Sequence, residues 1–214
     1  MKTAMALAAV ATLGVCGAAQ AQDYQPKAKG AVIVNVRATG VLPSGDDPIV
    51  TAAGAATGLQ AHVEDDVMPT LGLTYFLTDN VAVEAIAGTT QHEVRAQGPG
   101  VDVAVHETWV LPPVVSLQYH FTPQARVSPY VGAGVNYMLF YSDENRNGFD
   151  VDLDDGFGLA LQAGVDIALQ GRWQANLDVK KVFFETDASI NGGTLKSEVT
   201  LDPWVVSAGL GYRF

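Results

Sequence analysis

The chain has a single cysteine, Cys16, in 214 residues. An internal disulfide is therefore impossible, and so is a metal cluster built on thiolates. Positive charge is scarce too: 12 Lys and Arg stand against 23 Asp and Glu, a net charge of −11. Nucleic acid is excluded as a partner, because binding phosphates takes clustered Lys and Arg. Charged residues make up only 16% of the chain, against about 25% in an average soluble domain. No apolar run approaches the roughly 20 residues of a membrane-spanning helix. Neither G-x-S-x-G nor a phosphate-cradling glycine loop occurs. The four histidines, His62, His92, His106 and His120, lack metal-ligand spacing such as H-x-x-x-H. No cofactor or catalytic constellation is expected. What the chain does have is 48% hydrophobic residues and 22 glycines, a balance that argues against disorder.

The amino-terminus reads as an export signal. Lys2 supplies the positive start, Ala4 to Val15 form a short apolar run, and Ala19-Gln20-Ala21 is an A-x-A cleavage site. The reading divides the chain into a cleaved signal, 1–21, and one domain, 22–214. Cys16 lies inside the signal, so the exported protein would carry no thiol. Losing Lys2 takes the charge from −11 to −12 over the remaining 193 residues.

The rest alternates with a period of two, the signature of strands with one apolar face. From Trp204 the apolar set is Trp204, Val206, Ala208, Leu210, Tyr212 and Phe214. The same pattern predicts seven earlier strands, near 31–39, 68–77, 81–90, 109–121, 130–141, 157–169 and 173–186. Each is long enough for a tilted span of about 9–11 residues. Short connections such as Thr78-Asp79-Asn80 and Gln170-Gly171-Arg172 alternate with long ones near 40–67, 91–108, 142–156 and 188–198. The expected fold is all-β: an eight-stranded antiparallel transmembrane barrel with short periplasmic turns, long extracellular loops and both termini periplasmic. The apolar face then looks out to lipid. The polar residues look in, among them Arg37, Glu84, Gln118, His120, Asn136, Asp166, Asp178, Lys180 and Arg213. Buried charges must pair, and an eight-stranded bore is just wide enough for its side chains to fill. These residues would form a plug or line a narrow path.

Three features break the pattern. Pro112 and Pro113 fall inside the fourth strand, where each removes a ladder donor, and mark an interruption of the wall. Strict alternation sends Lys181 towards lipid, so a bulge or a place near the interface is expected. Residues 143–154 match the calcium-loop spacing with Asp143, Asn145, Asn147 and Gly148, and with Asp154 where a longer Glu is usual. Strands rather than helices flank that segment, and a solvated acidic hairpin explains the same residues.

Four segments carry a resemblance: LGLTYFLTDNVAVEAIAG (71–88), LPPVVSLQYHF (111–121), SPYVGAGVNY (128–137) and LDPWVVSAGLGYRF (201–214). In order and spacing the chain resembles the outer membrane protein W (OmpW) family of Gram-negative bacteria. The resemblance implies a barrel in the outer membrane that lets small hydrophobic molecules cross passively. In the family's model they enter an apolar funnel and leave sideways into the bilayer through a gap in the wall, which Pro112 and Pro113 fit. Leu210, Tyr212 and Phe214 resemble the carboxy-terminal sorting signal read by the outer-membrane assembly machinery. The alternative is a structural or surface barrel, whose acidic loops bind lipopolysaccharide phosphates through divalent cations. Expected partners are thus outer-membrane lipid and lipopolysaccharide, small hydrophobic solutes and the assembly machinery.

Overall fold

The computed structural model describes residues 24–43 and 46–214. The expected signal, 1–21, lies outside the described residues. In chain order the strands are β1 (Val32–Leu42), β2 (Asp46–Thr51), β3 (Ala56–Val63), β4 (Asp66–Phe76), β5 (Val81–Gly88), β6 (Thr90–Gly98), β7 (Val101–Leu111), β8 (Val114–His120), β9 (Val127–Asn145), β10 (Val151–Leu153), β11 (Gly156–Ala168), β12 (Trp173–Phe183), β13 (Glu185–Ile190), β14 (Leu195–Thr200) and β15 (Trp204–Arg213). Eight of them close an antiparallel barrel in the order β1-β4-β5-β8-β9-β11-β12-β15, with β15 returning to β1.

Alternation fixes which face is which. Leu71, Leu73, Leu117, Val135, Leu159, Leu161, Leu177 and Leu210 all point outward and are exposed, forming an apolar belt. Aromatic residues mark its edges. At the end with the tight turns, the rings of Trp173, Tyr212 and Phe214 follow one another at 5.0 Å. Lys181 sits at the opposite edge. Its ammonium lies 5.4 Å from the Trp204 ring and 5.9 Å from the Phe183 ring, and donates to the Asp202 carbonyl. The side chain reaches the interface, as long basic chains do. No bulge is needed to relieve it. The tight turns are held locally: the Thr78 hydroxyl accepts from the Val81 amide at 2.9 Å, and Gly171 adopts φ +65°.

Beyond the belt the long connections are themselves sheet. Strands β2, β3, β6, β7, β10, β13 and β14, with the upper part of β9, extend the wall into a second tier. The sequence reads as loop there because Gly, Pro and Asp dilute the alternation. These segments nonetheless keep enough inward apolar residues to bury against one another across the bore. Ile49, Ala61, Ala96, Val105, Val151 and Ile190 form one buried cluster. Within the tier β2–β3, β6–β7 and β13–β14 pair as local hairpins, and the pairings β14–β2, β3–β6 and β10–β13 join them across the chain.

Close packing inside the wall depends on glycine at Gly209. A Cβ there would lie 2.1 Å from the Val36 carbonyl oxygen and 2.6 Å from the Arg37 Cα. Backbone cannot yield that distance. Gly209→Val is expected to abolish most folded barrel, measured as loss of the compact, heat-modifiable band on unheated gels.

Candidate functional site

The bore has two layers of opposite character. The lower layer, nearest the tight turns, is polar and tightly paired. Arg37 Nη2 meets Glu84 Oε1 at 2.6 Å, and Arg37 Nε donates to Asn176 Oδ1 at 2.6 Å. Lys180 Nζ lies 3.3 Å from Glu84 Oε2 and also pairs with Asp178. The Gln162 amide donates to Glu84 at 2.8 Å and to Asp178 at 2.7 Å. Glu84 is fully buried (0% exposed), so its charge depends wholly on these partners. Below them the His120 ring stacks between Phe76 and Tyr130, 4.8 Å from each, and contacts Gln118 at 3.1 Å. Asp166 takes Lys27 at 2.5 Å. Arg213 lies at the lower mouth with Arg172 and Tyr24.

All nine inward residues read from the sequence are buried in the bore. Sequence reasoning missed Lys27 and Tyr130. Lys27 precedes the first strand, in a segment without periodicity, and the chain folds back to place it under the barrel. The Tyr130 hydroxyl donates to Asp178 at 2.8 Å and accepts from Asn176 at 3.0 Å. A tyrosine in a membrane strand reads as a rim residue unless its cross-bore partners are known.

Above the paired layer the bore turns apolar. Thr39 and Thr70, hydroxyls 2.7 Å apart, form part of its floor. A cavity with about 460 Å³ of atom-free space, including its mouth, is lined by Met68, Ile86, Val114, Met138 and Val182, with Lys180 and Asn136 at the polar side. A second apolar space, with about 600 Å³ free of atoms when its open mouth is included, lies in the upper tier among Ile49, Val105, Phe140, Val151 and Ile190. Val110 lines the upper space and packs in one cluster with Ile86, Val114, Met138 and Val182 of the lower one. The two spaces thus share a continuous apolar surface.

The wall beside the lower cavity is incomplete. Strand β5 pairs with β8 as far as Ile86↔Val114, and β6 pairs with β7 from Thr90↔Val110 onward. The register is the same on both sides, yet Ala87, Gly88 and Thr89 have no ladder partners in Leu111, Pro112 and Pro113. On the other side Pro113 still holds β9, its carbonyl accepting from the Tyr137 amide at 3.1 Å. Antiparallel neighbours alternate in direction, so Pro112 is the residue turned towards Gly88, and it has no N–H to give. Gly88 and Pro112 both line the cavity. The proline pair therefore interrupts the ladder on one side only.

Between the end of β9 and β10 the segment 143–154 turns at Asn147 (φ 52°) and Gly148 (φ 79°), and the two strands pair with different neighbours. The Asn145 amide donates to Asp150 at 2.7 Å, and its oxygen accepts from the Val151 amide at 3.0 Å. Asn147 donates to the Ala104 carbonyl at 2.8 Å, and the Asp154 carbonyl accepts from Thr186 at 2.8 Å. The Asp143 side chain lies outside the described set. Among the described residues no group of three or more His, Cys, Asp and Glu gathers at a point fit for a metal.

In the upper tier, burial pushes the His92 imidazole below its ordinary value, against the opposing pull of the Glu64 carbonyl, 2.8 Å from Nδ1. The unfolded tier then binds a proton more readily than the folded one. Its stability is complete at neutral pH and falls as pH drops below about 6.5. Lower protection factors in β3 and β6 at pH 5 than at pH 7, after correction for the intrinsic exchange rate at each pH, are expected, and His92→Gln should reduce that difference.

The comparisons with known proteins agree with this geometry. Residues 28–214 match the model of the OmpW family. The uncharacterised outer-membrane protein y4mB of Sinorhizobium fredii is 38% identical over 213 residues, covering 93% of this chain and 91% of its own. The crystal structure of OprG from Pseudomonas aeruginosa matches with a TM-score of 0.83 at 31% identity, over 90% of this chain and 99% of that one. A Pseudomonas aeruginosa protein named the dibenzothiophene metabolism operon protein PahQ is 31% identical over 162 residues, 73% of this chain and 76% of its own.

Proposed function

The chain belongs to the OmpW family of outer-membrane β-barrels, and from that premise we propose that it lets small hydrophobic molecules cross the outer membrane passively. Solutes enter the apolar space of the upper tier, pass along Val110 into the lower cavity, and leave sideways into the bilayer between Gly88 and Pro112. The observation that carries this reading is the three-residue interruption of the ladder beside an apolar cavity.

Energetics favour the sideways route. Passage straight down would separate Glu84 from Arg37 and Lys180, and unpairing one buried ion costs about 3–5 kcal/mol. Passage through the gap meets apolar side chains and lipid, with no charge to desolvate. The kinship with PahQ, named for dibenzothiophene metabolism, fits a solute of this apolar class. In this reading the tight turns and both termini face the periplasm, the second tier faces outward, and the exposed Leu210 and Phe214 with Tyr212 serve as the sorting surface for the assembly machinery.

The test is uptake of radiolabelled naphthalene by cells with and without the protein. Faster entry with the protein is expected. Equal entry would overturn the reading and favour a structural role at the cell surface.

A further inference from the structure

Asn136 stands out among the residues of the lower cavity. It lies on β9 between Val114 of β8 and Gly158 of β11. Its side chain is 1% exposed and lines the cavity. Among the described residues neither its amide nitrogen nor its amide oxygen has a hydrogen-bond partner. Both groups are strong hydrogen-bonders, and leaving them unmet in an apolar space is unfavourable. Most other polar side chains of the bore are engaged in the paired layer described above.

We propose that Asn136 is a recognition site for the polar head of an amphiphilic solute, so that the cavity prefers neutral hydrocarbons carrying a single hydroxyl to plain ones. This rests on the uptake reading above and names the substrate class of that same cavity. An amide offers one donor face and one acceptor face. A hydroxyl group is its complement, since it accepts from the nitrogen and donates to the oxygen at once. An ether can only accept, and an alkane does neither. The head should be uncharged. Lys180 at the cavity edge is already matched by Glu84 and Asp178, and Arg37 by Glu84, so two cations face two carboxylates. A carboxylate head would arrive with no counter-charge left to meet it. The apolar lining of Met68, Ile86, Met138 and Val182 suits the chain behind the head.

The test uses three probes of equal heavy-atom count: n-octanol, heptyl methyl ether and n-nonane. Their protein-dependent uptake is compared in cells carrying the wild-type barrel and the near-isosteric Asn136→Leu. For the wild type, n-octanol is expected to be favoured about tenfold over the other two, as two net hydrogen bonds allow. In Asn136→Leu the octanol-to-nonane ratio should fall about tenfold, towards one. A complementary readout is the side-chain amide resonance of Asn136 in lipid nanodiscs, which should shift with n-octanol and not with n-nonane. An octanol-to-nonane ratio unchanged by Asn136→Leu would overturn the proposal while leaving hydrophobic uptake standing. Failure of all three probes to enter faster than in cells without the protein would overturn the uptake reading itself. A variant that does not fold would show as loss of the heat-modifiable band, and the nanodisc measurement on the wild type then decides.

Discussion

Pro112→Val is expected to cut uptake of apolar solutes by at least about tenfold, while raising thermal stability by a few degrees. Valine restores the N–H that faces the Gly88 carbonyl, and the flanking ladders already share one register. Closing the gap then needs no shift of either strand. Two new backbone hydrogen bonds at about 0.5–1.5 kcal/mol each would reduce the open population by about ten- to a hundredfold. Valine also favours strand conformation. Pro113→Val is the informative companion. Pro113 faces β9 and its carbonyl already takes the Tyr137 amide, so its effect on uptake should be much smaller. Uptake measured for the two variants side by side checks the argument. Equal losses, or none, would mean that solute does not leave between Gly88 and Pro112.

The second large effect concerns the paired layer. Glu84→Ala should lower stability by about 3–5 kcal/mol, because it leaves Arg37 and Lys180 to share Asp178 in a water-poor bore. Glu84 sits at the hub: it meets Arg37, Lys180 and Gln162 at once. The loss should show as a lower melting temperature. It should also show as ion current in planar bilayers, where the filled bore of the wild type is expected to pass little. Adding Lys180→Met removes the surplus cation, leaving Arg37 and Asp178 in balance, and should recover much of the melting temperature. A Glu84→Ala barrel with unchanged melting and unchanged conductance would show that the layer does not seal the bore.

Much of the wall was legible in the sequence for a simple reason. Lipid on one side and a narrow polar bore on the other impose a strict two-residue period, and Leu71, Leu117, Leu161 and Leu210 state it without reference to any distant residue. The nine polar residues read as inward follow from the same parity. The proline pair was visible as an interruption for the local reason that proline has no N–H. Other parts had no local signature. The second tier reads as loop because its strands are short and interrupted, and the pairings that join its hairpins, β14 with β2 and β3 with β6, link residues far apart in the chain. Lys27 enters the bore from a segment with no pattern at all. The direction of the gap required the register: sequence alone does not say that Pro113 holds β9 while Pro112 lets go of β5 and β6.

By itself, then, the sequence determined what depends on parity and on single residues: the eight strands that close the barrel, the lipid belt, the polar interior and the break at Pro112 and Pro113. Tertiary structure alone decided which charges pair, where the polar layer stops and the apolar cavity begins, and that Asn136 is left without a partner at that boundary. Period-two alternation tells each side chain which face it occupies. Its height along the bore, and the strand opposite, are set by the shear with which eight strands close, and that is a property of the whole barrel.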